Sequence, residues 1–334
     1  MNINAIIEAL KALGQLFQVS TIFPSILLVV VNAYMVLPRL SAYGFPEGYD
    51  TASPLTTTLV VALSLMLSYT LYAFNHPLTR LLEGYKFKPH KFFSPLQREH
   101  EARHQFYILH IRKLNGERRK LRDRLEKHPD RFTVESLRGV IAKLAEMERD
   151  FDMEYPSALE SVLPTTLGNT IAAFEDYPRT RYGMESIALW TRLVPILKDK
   201  NYLEFVTQEK MAFDFLMNTG VVAGILGLEI AYLSFFLGEW IWALICLSGT
   251  LIASVVFYLG MIRAARQWGE AVRVAFDLHR HDLHRRLYLR STSSFEQEYR
   301  LWQSISRFMI YRRDRIEVAD FLTQAEVNRR EKEE

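Results

Sequence analysis

The sequence predicts an all-α integral membrane protein with four transmembrane helices and a helical cytosolic domain, and three observations carry that prediction. Phe213 to Ile262 holds two apolar runs, FDFLMNTGVVAGILGLEIAYLSFFL and WIWALICLSGTLIASVVFYLGMI, joined only by Gly238 and Glu239. At about 1.5 Å per residue, some twenty apolar residues cross the roughly 30 Å hydrocarbon layer, so these runs read as a transmembrane hairpin. Two further apolar runs, Val19 to Leu40 and Leu55 to Phe74, are also long enough to span. The rest of the chain is densely charged with apolar residues at helical spacing, so a mean hydropathy of −0.02 averages two very different kinds of segment.

Taken in order, residues 1–18 place Ile3, Ile6, Ile7, Leu10, Leu13 and Phe17 on one face, as in an amphipathic interfacial helix. The basic n-region of a cleavable signal is missing, and the next run is a full-length span. Transmembrane helices 1 and 2 occupy residues 19–75, with Pro24 and Asn32 in the first and Ser64, Ser68 and Thr70 in the second. Residues 76–212 form a helical cytosolic domain. In it, Pro95 opens a polar helix with Ile108, Ile111, Leu114, Leu121 and Leu125 on one face, and Thr133 is a cap for a second helix faced by Leu137, Val140, Ile141, Leu144 and Met147. Two such faces pack as an antiparallel hairpin. Residues 213–262 are the transmembrane hairpin. Residues 263–334 continue the fourth span as a basic stalk to about Arg290, followed by a last helix to about Asn328.

Charge sets the expected orientation. From Arg80 to Asp130 there are fourteen Lys/Arg against seven Asp/Glu, and the stalk adds a second basic block, whereas the connection between the first two spans holds only Arg39, Glu47 and Asp50. The positive-inside rule then puts both termini and the middle domain in the cytoplasm of a bacterium, with the spans in its inner membrane. Trp240, Trp242 and Trp268 sit where aromatic belts are expected. The single cysteine, Cys246, excludes an intrachain disulfide and a thiolate metal cluster.

The sharpest candidate for function is Glu229, one ionisable residue inside the third span and about 6 Å from mid-membrane. Counting inwards from the outer surface places Ser248 at the same depth, with Ser64 and Asn32 close by, as a polar layer. Such a layer either ties one bundle together or lines a cation pathway in an oligomer. Gly220, Gly224 and Gly227 give a small-residue face for close helix approach, within the chain or between chains. A closed homo-oligomer, most simply a tetramer, is expected because one four-helix chain cannot easily satisfy both that face and Glu229. On the stalk, Arg273, Arg280, Arg285 and Arg286 are candidate ligands for a nucleotide, an oligonucleotide or a partner protein, while anionic lipid headgroups are the simpler partner for the same charge. Asp277, His281 and His284 share a helical face that could bind a metal or sense pH, although solvated stalk residues would look the same.

His100-Glu101-Ala102-Arg103-His104 is a literal HExxH. A membrane-embedded zinc metallopeptidase is therefore an alternative, with His100 and His104 as ligands. Against it, Arg103 adds a cation beside the metal position, and no acidic third ligand is marked. The chain contains no Walker sequence, Rossmann glycine pattern or nucleophile elbow, so no cofactor is expected and the chain is read as a non-enzyme. A non-conducting membrane scaffold is the second alternative.

Two segments carry a resemblance: NHPLTRLLEGY, Asn75 to Tyr85, and LGNTIAAFEDYPRTRYGMESIALWTRLVPIL, Leu167 to Leu197. They resemble a group of bacterial four-span membrane proteins with NxPLxRLxEGY and LGN…ExYPxxRYG segments. More loosely, the layout is similar to channel-type membrane effectors of anti-phage defence systems of the Hailong type, which implies an oligomeric channel gated by a nucleotide-made signal in the cytosol. Within the second segment, Pro178 is expected to stop a helix, Gly183 to permit a tight turn, and Arg181 to reach Glu175 or Asp176 across it.

Overall fold

A computed structural model of the chain describes residues 20–41, 53–88, 93–290 and 292–311. The expected interfacial helix at 1–18, most of the connection between the first two spans, and the chain beyond 311 lie outside the described residues. Among the described residues the fold is helical, with no extended strand. Helix α1 comprises Ile22–Val31, a π-helical segment Asn32–Val36, and Leu37–Ser41. It is followed by α2 (Pro54–Glu83), α3 (Ser94–Lys127), α4 (Arg131–Glu154), a 3-10 turn Leu159–Ser161, α5 (Thr166–Tyr182), α6 (Ser186–Asp199), α7 (Tyr202–Phe236), α8 (Trp240–Arg286) and α9 (Phe295–Tyr311). Four segments are long and apolar enough to cross a membrane: Ile22–Arg39, Pro54–Glu83, Tyr202–Phe236 and Trp240–Arg286. Three of these helices outrun the apolar stretches that predict them: α2 continues to Glu83 through Pro77, α7 starts at Tyr202, and α8 continues to Arg286. Hydropathy marks where a helix leaves an apolar environment, and nothing at those places breaks the backbone hydrogen bonding.

The chain divides into two compact units, one of residues 1–81 and 207–268, the other of residues 82–206 and 269–334. The first is built on α1, the main part of α2, and the α7–α8 hairpin. Leu71, Val222 and Leu226 form one buried apolar cluster in it, with Leu27, Leu28 and Val31 of α1 packed against them. The hairpin closes at Gly238, whose φ of +79° is the left-handed conformation glycine allows. Gly220 and Gly227 lie seven residues apart on the face of α7 that meets α8. A Cβ at Gly227 would stand 1.8 Å from Thr250 Oγ1, and one at Gly220 would stand 3.0 Å from Phe257 Cβ. Gly224, between them, has nothing within 4 Å.

In the second unit, α3 and α4 form the expected antiparallel hairpin, with Phe151, Tyr155 and Val162 packed against Tyr107, Ile108 and Ile111. The cap of α4 is Asp130, which accepts from Thr133 N–H at 2.7 Å, so Thr133 donates rather than caps. Ile141 is exposed: the covered stripe runs through Leu137, Val140, Leu144, Met147 and Phe151, and Ile141, about 100° around the helix from Val140, lies off it. Pro178 does not stop α5. It lies inside the helix, which ends at Gly183, where φ is +76° and the N–H groups of Gly183 and Met184 bond back to Arg179 and Pro178 carbonyls at 3.0 Å. A side chain at Gly183 would also meet Tyr299 O of α9 at 2.5 Å, so this one position serves both the turn and the helix packed on it.

Candidate functional site

In the first unit the π-helical segment begins at Asn32, and that residue makes the contact expected of it. Its Nδ2 donates to Glu229 Oε2 at 3.0 Å and to Leu28 O, in the preceding turn, at 3.1 Å. π-helical turns inside α-helices recur at functional positions, because the extra residue re-aims a side chain. Two of the four residues expected in the polar layer are thus joined. Ser64 is buried and bonds back to Val60 O at 2.7 Å, as serine does in apolar helices, rather than to either of them. Ser248 is exposed. Depth counting is blind to rotation about the helix axis, and two residues further on, about 200° around α8, it is Thr250 that meets α7 at Gly227.

Glu229 is not the sole carboxylate of its helix. Asp214, in the first turns of the apolar run, is 7% exposed, and its Oδ2 accepts from Lys210 Nζ at 2.6 Å. Lys210 also lies over the Trp268 ring, 5.6 Å from its centroid, and Phe213 stacks on the same ring at 5.8 Å. Around this end of the unit lies a second polar group that counting from the outer surface missed. Thr21 and Ser68 share a hydroxyl hydrogen bond of 2.8 Å, Asn218 Nδ2 donates to Ser20 O at 3.0 Å, and Thr79 Oγ1 lies 3.5 Å from Met217 Sδ. The asparagine and aspartate letters were visible in the apolar runs.

The glycine face and Glu229 are both accommodated within one chain, Gly220 and Gly227 by α8 and Glu229 by Asn32. Gly224 alone of the three glycines is left facing open space.

In the second unit each of the four stalk arginines is held by protein acceptors. Arg273 is buried, donates to Asp152 O, and lies 5.4 Å from the Tyr177 ring centroid. Arg280 donates to Asp277 O at 2.7 Å and to Glu298 at 3.3 Å, with its guanidinium 4.6 Å from the Tyr182 ring centroid. Arg285 pairs with Asp282, and Arg286 with Asp199. Asp277 is gripped by two phenols, from Tyr182 at 2.6 Å and Tyr177 at 3.0 Å. Burial, then the Asp277 charge, pushes the Tyr177 phenol well above its usual range. His284 bonds Arg290 O at 3.1 Å and His281 lies 3.9 Å from Glu298, so the expected Asp277–His281–His284 face does not converge on one point.

The histidines of the HExxH also have partners. His100 Nδ1 pairs with the Tyr155 hydroxyl and His104 Nε2 with Pro156 O, both at 3.0 Å, while Glu101 accepts from Gln97 at 2.8 Å. Burial, reinforced by Arg103, lowers the His100 pKa, and burial pushes the Tyr155 phenol up to about 12. Among the described residues, no group of three His, Cys, Asp or Glu is placed to hold a metal.

The two segments that carry the family resemblance meet in this unit. Thr165 Oγ1 donates to Glu83 O at 2.8 Å, and Gly168 lies so close that a Cβ there would stand 2.1 Å from the same oxygen. Asn169 closes the turn before α5 by bonding Leu163 N–H and Leu163 O at 2.7 and 2.8 Å. Asp176 accepts from Arg179, at 2.7 Å, because residues three apart share a helix face. Burial would raise the Asp176 pKa, but hydrogen bonds from Ser157 and Arg179 outweigh it and hold the carboxyl low. Comparison with family models, curated proteins and solved structures finds no match to this chain.

Proposed function

We propose that the chain is a multi-pass inner-membrane protein, with both termini and the second unit in the cytoplasm, that conducts cations past Glu229 when its cytosolic part changes state. The observation that carries this reading is the Asn32–Glu229 contact at the π-helical segment. A carboxylate in mid-span is costly in an apolar layer, and here the helix opposite departs from α geometry to supply it with one amide, leaving the rest of its acceptor capacity open. One donor orients a carboxylate without neutralising it, which suits an ion-contacting group better than a structural tie. A pathway made of one or two helices per chain requires several chains around an axis, and a tetramer is the simplest closed form. A membrane-depolarising effector in antiviral defence is the biological role the resemblance implies.

The stalk arginines are engaged inside the chain, so a cytosolic nucleotide or partner protein would act by displacing one of those pairings, such as Arg286–Asp199. The zinc-peptidase alternative would require both HExxH imidazoles to leave Tyr155 and Pro156.

Bilayer recording of purified protein tests the reading. Wild type is expected to pass cations, and Glu229→Gln to reduce conductance or selectivity while the protein still purifies as the same oligomer. No conductance under any cytosolic condition, or a variant that cannot be purified folded, would leave Glu229 as a tie in a non-conducting scaffold. Topology is checked by cysteine labelling, with Tyr43 and Gly238 expected to react from outside and Ser293 from inside.

A further inference from the structure

The α3–α4 hairpin is covered at one end only. In α3 the buried residues are Gln97, His100 and His104, all in its first three turns. From Gln105 to Lys127, about six turns and 34 Å, no residue is buried, and between Val134 and Asp150 of α4 only Leu144 is. Ile111, Leu114, Val140 and Met147, which belong to the apolar seam, stay half-buried. Two helices bury one stripe each against the other and leave its flanks in water, whereas a bundle of four helices closes them.

Beside the seam the two helices enclose a groove of about 670 Å³, with Phe106, Leu114 and Met147 among its lining. Phe106 is 53% exposed there. The ring contact between Tyr107 and Phe151 sets the antiparallel register of the two walls. That register brings Lys113 of α3 level with Glu146 of α4, and Glu117 with Lys143, to within about two residues. None of these four charges is paired among the described residues. One wall thus reads Lys then Glu, and the other, at the same heights, Glu then Lys.

We infer that a second copy of the chain docks in this groove, hairpin on hairpin, about a two-fold axis running along it. The rotation lays α3 of each copy over α4 of the other at the same height. Lys113 of each copy then meets Glu146 of the other, and Glu117 meets Lys143, while Phe106, Leu114 and Met147 of both enter one four-helix core. Charge chooses the occupant. Each wall carries both signs, so a uniformly acidic or basic partner meets a like charge on each wall, whereas the chain's own groove presents the opposite sign at each height. A face about 34 Å long and two helix diameters wide offers roughly 700 Å² per copy, close to what specific interfaces bury. The pairing rests on the chain being oligomeric, as the proposed function has it, but not on conduction.

The test uses full-length chains in membranes, with the one native cysteine removed by Cys246→Ser. One chain carries Leu114→Cys and a second, differently tagged, carries Met147→Cys, and the two are co-expressed and oxidised. A disulfide between the two tags is expected, in excess of either homotypic product. Lys113→Glu with Lys143→Glu makes the groove wholly acidic, and Glu117→Lys with Glu146→Lys makes it wholly basic. Put on both tagged chains, either pair is expected to lower the cross-link about tenfold, and one pair on each chain to restore it. All four positions are solvated, so these changes leave folding intact. If the protein runs as an oligomer in detergent but Leu114→Cys and Met147→Cys chains do not join, the docking surface is wrong while the oligomeric channel stands. A cross-link in a protein that never conducts supports the surface and removes the channel. Homotypic products as strong as the mixed one would overturn the two-fold arrangement, and cross-links to a different protein with none between copies would hand the groove to a foreign partner.

Discussion

The two units treat their carboxylates in different ways, though each keeps buried side-chain oxygens without a partner, Gln97 Oε1 and Thr170 Oγ1 among those of the second. In the second, Asp176 accepts from Ser157 N–H, the Ser157 and Thr180 hydroxyls and Arg179, and Asp277 accepts from two tyrosines. In the first, Glu229 has one amide, and Asn75, Asp214 and Asn218 each keep an oxygen with no donor. A closed network fixes a structure, since every member loses a partner if any moves. A buried acceptor left without a donor costs the fold part of its desolvation energy. The carboxylates Asp176 and Asp277 of the second unit are thus bound into networks, whereas Glu229 of the first accepts from a single amide.

Asp176→Ala would test the closed side most severely. It leaves a backbone N–H, two hydroxyls and a guanidinium without their acceptor, at a cost of roughly 2–4 kcal/mol, whereas Asn218→Ala removes one donated bond and about 1 kcal/mol. Thermal unfolding in detergent, read together with hydrogen exchange over α5, is expected to separate the two clearly. Equal losses would erase the distinction. Next in size is Gly183→Ala, expected to cost about 1–3 kcal/mol because the added methyl meets both an unfavourable φ and the Tyr299 carbonyl. Gly224→Ala, in the open, is expected to be near neutral. Tyr182→Phe follows. It removes one of two phenols from Asp277 and is expected to cost about 1 kcal/mol, while the double change with Tyr177→Phe exceeds the sum of the singles if the network is cooperative.

How much of this was readable beforehand follows from which interactions are local. The four long apolar helices, the α3–α4 hairpin and the Gly183 turn depend on periodicity and on backbone conformations within a few residues. Asn32 and Glu229 could be paired because both stand out in apolar runs and depth along a helix is nearly one-dimensional. Rotation is the other coordinate, and depth alone does not give it: the close approach at Gly220 and Gly227 turns Phe257 and Thr250 of α8 toward α7. The stalk arginines looked available because their acceptors, Asp152 O, Glu298 and Asp199, are remote in sequence. A carboxylate near the end of an apolar run, such as Asp214, reads as the start of water, and only packing shows that it is buried.

The smallest expected effect concerns pH and tests the closed side at the HExxH. Burial and Arg103 depress the His100 pKa below its ordinary value near 6.5, so the folded chain holds this imidazole neutral where the unfolded chain would protonate it. The unfolded state then binds more protons, and stability must rise with pH through the interval between the two pKa values and flatten above about 6.5. His100→Gln, which keeps a polar side chain near the Tyr155 hydroxyl and cannot titrate, is expected to lose that slope while changing little at pH 8. Unfolding midpoints of both proteins between pH 5 and 8 check this. A wild-type curve that falls with rising pH across that range would mean that His100 is stabilised as a cation, and that the pair with Tyr155 is not the neutral closed contact described here. Added zinc gives an independent arm: if His100 and His104 stay with Tyr155 and Pro156, zinc leaves the midpoint at pH 8 unchanged. A zinc-dependent rise abolished by His100→Gln would instead show that the imidazoles can leave their partners for a metal.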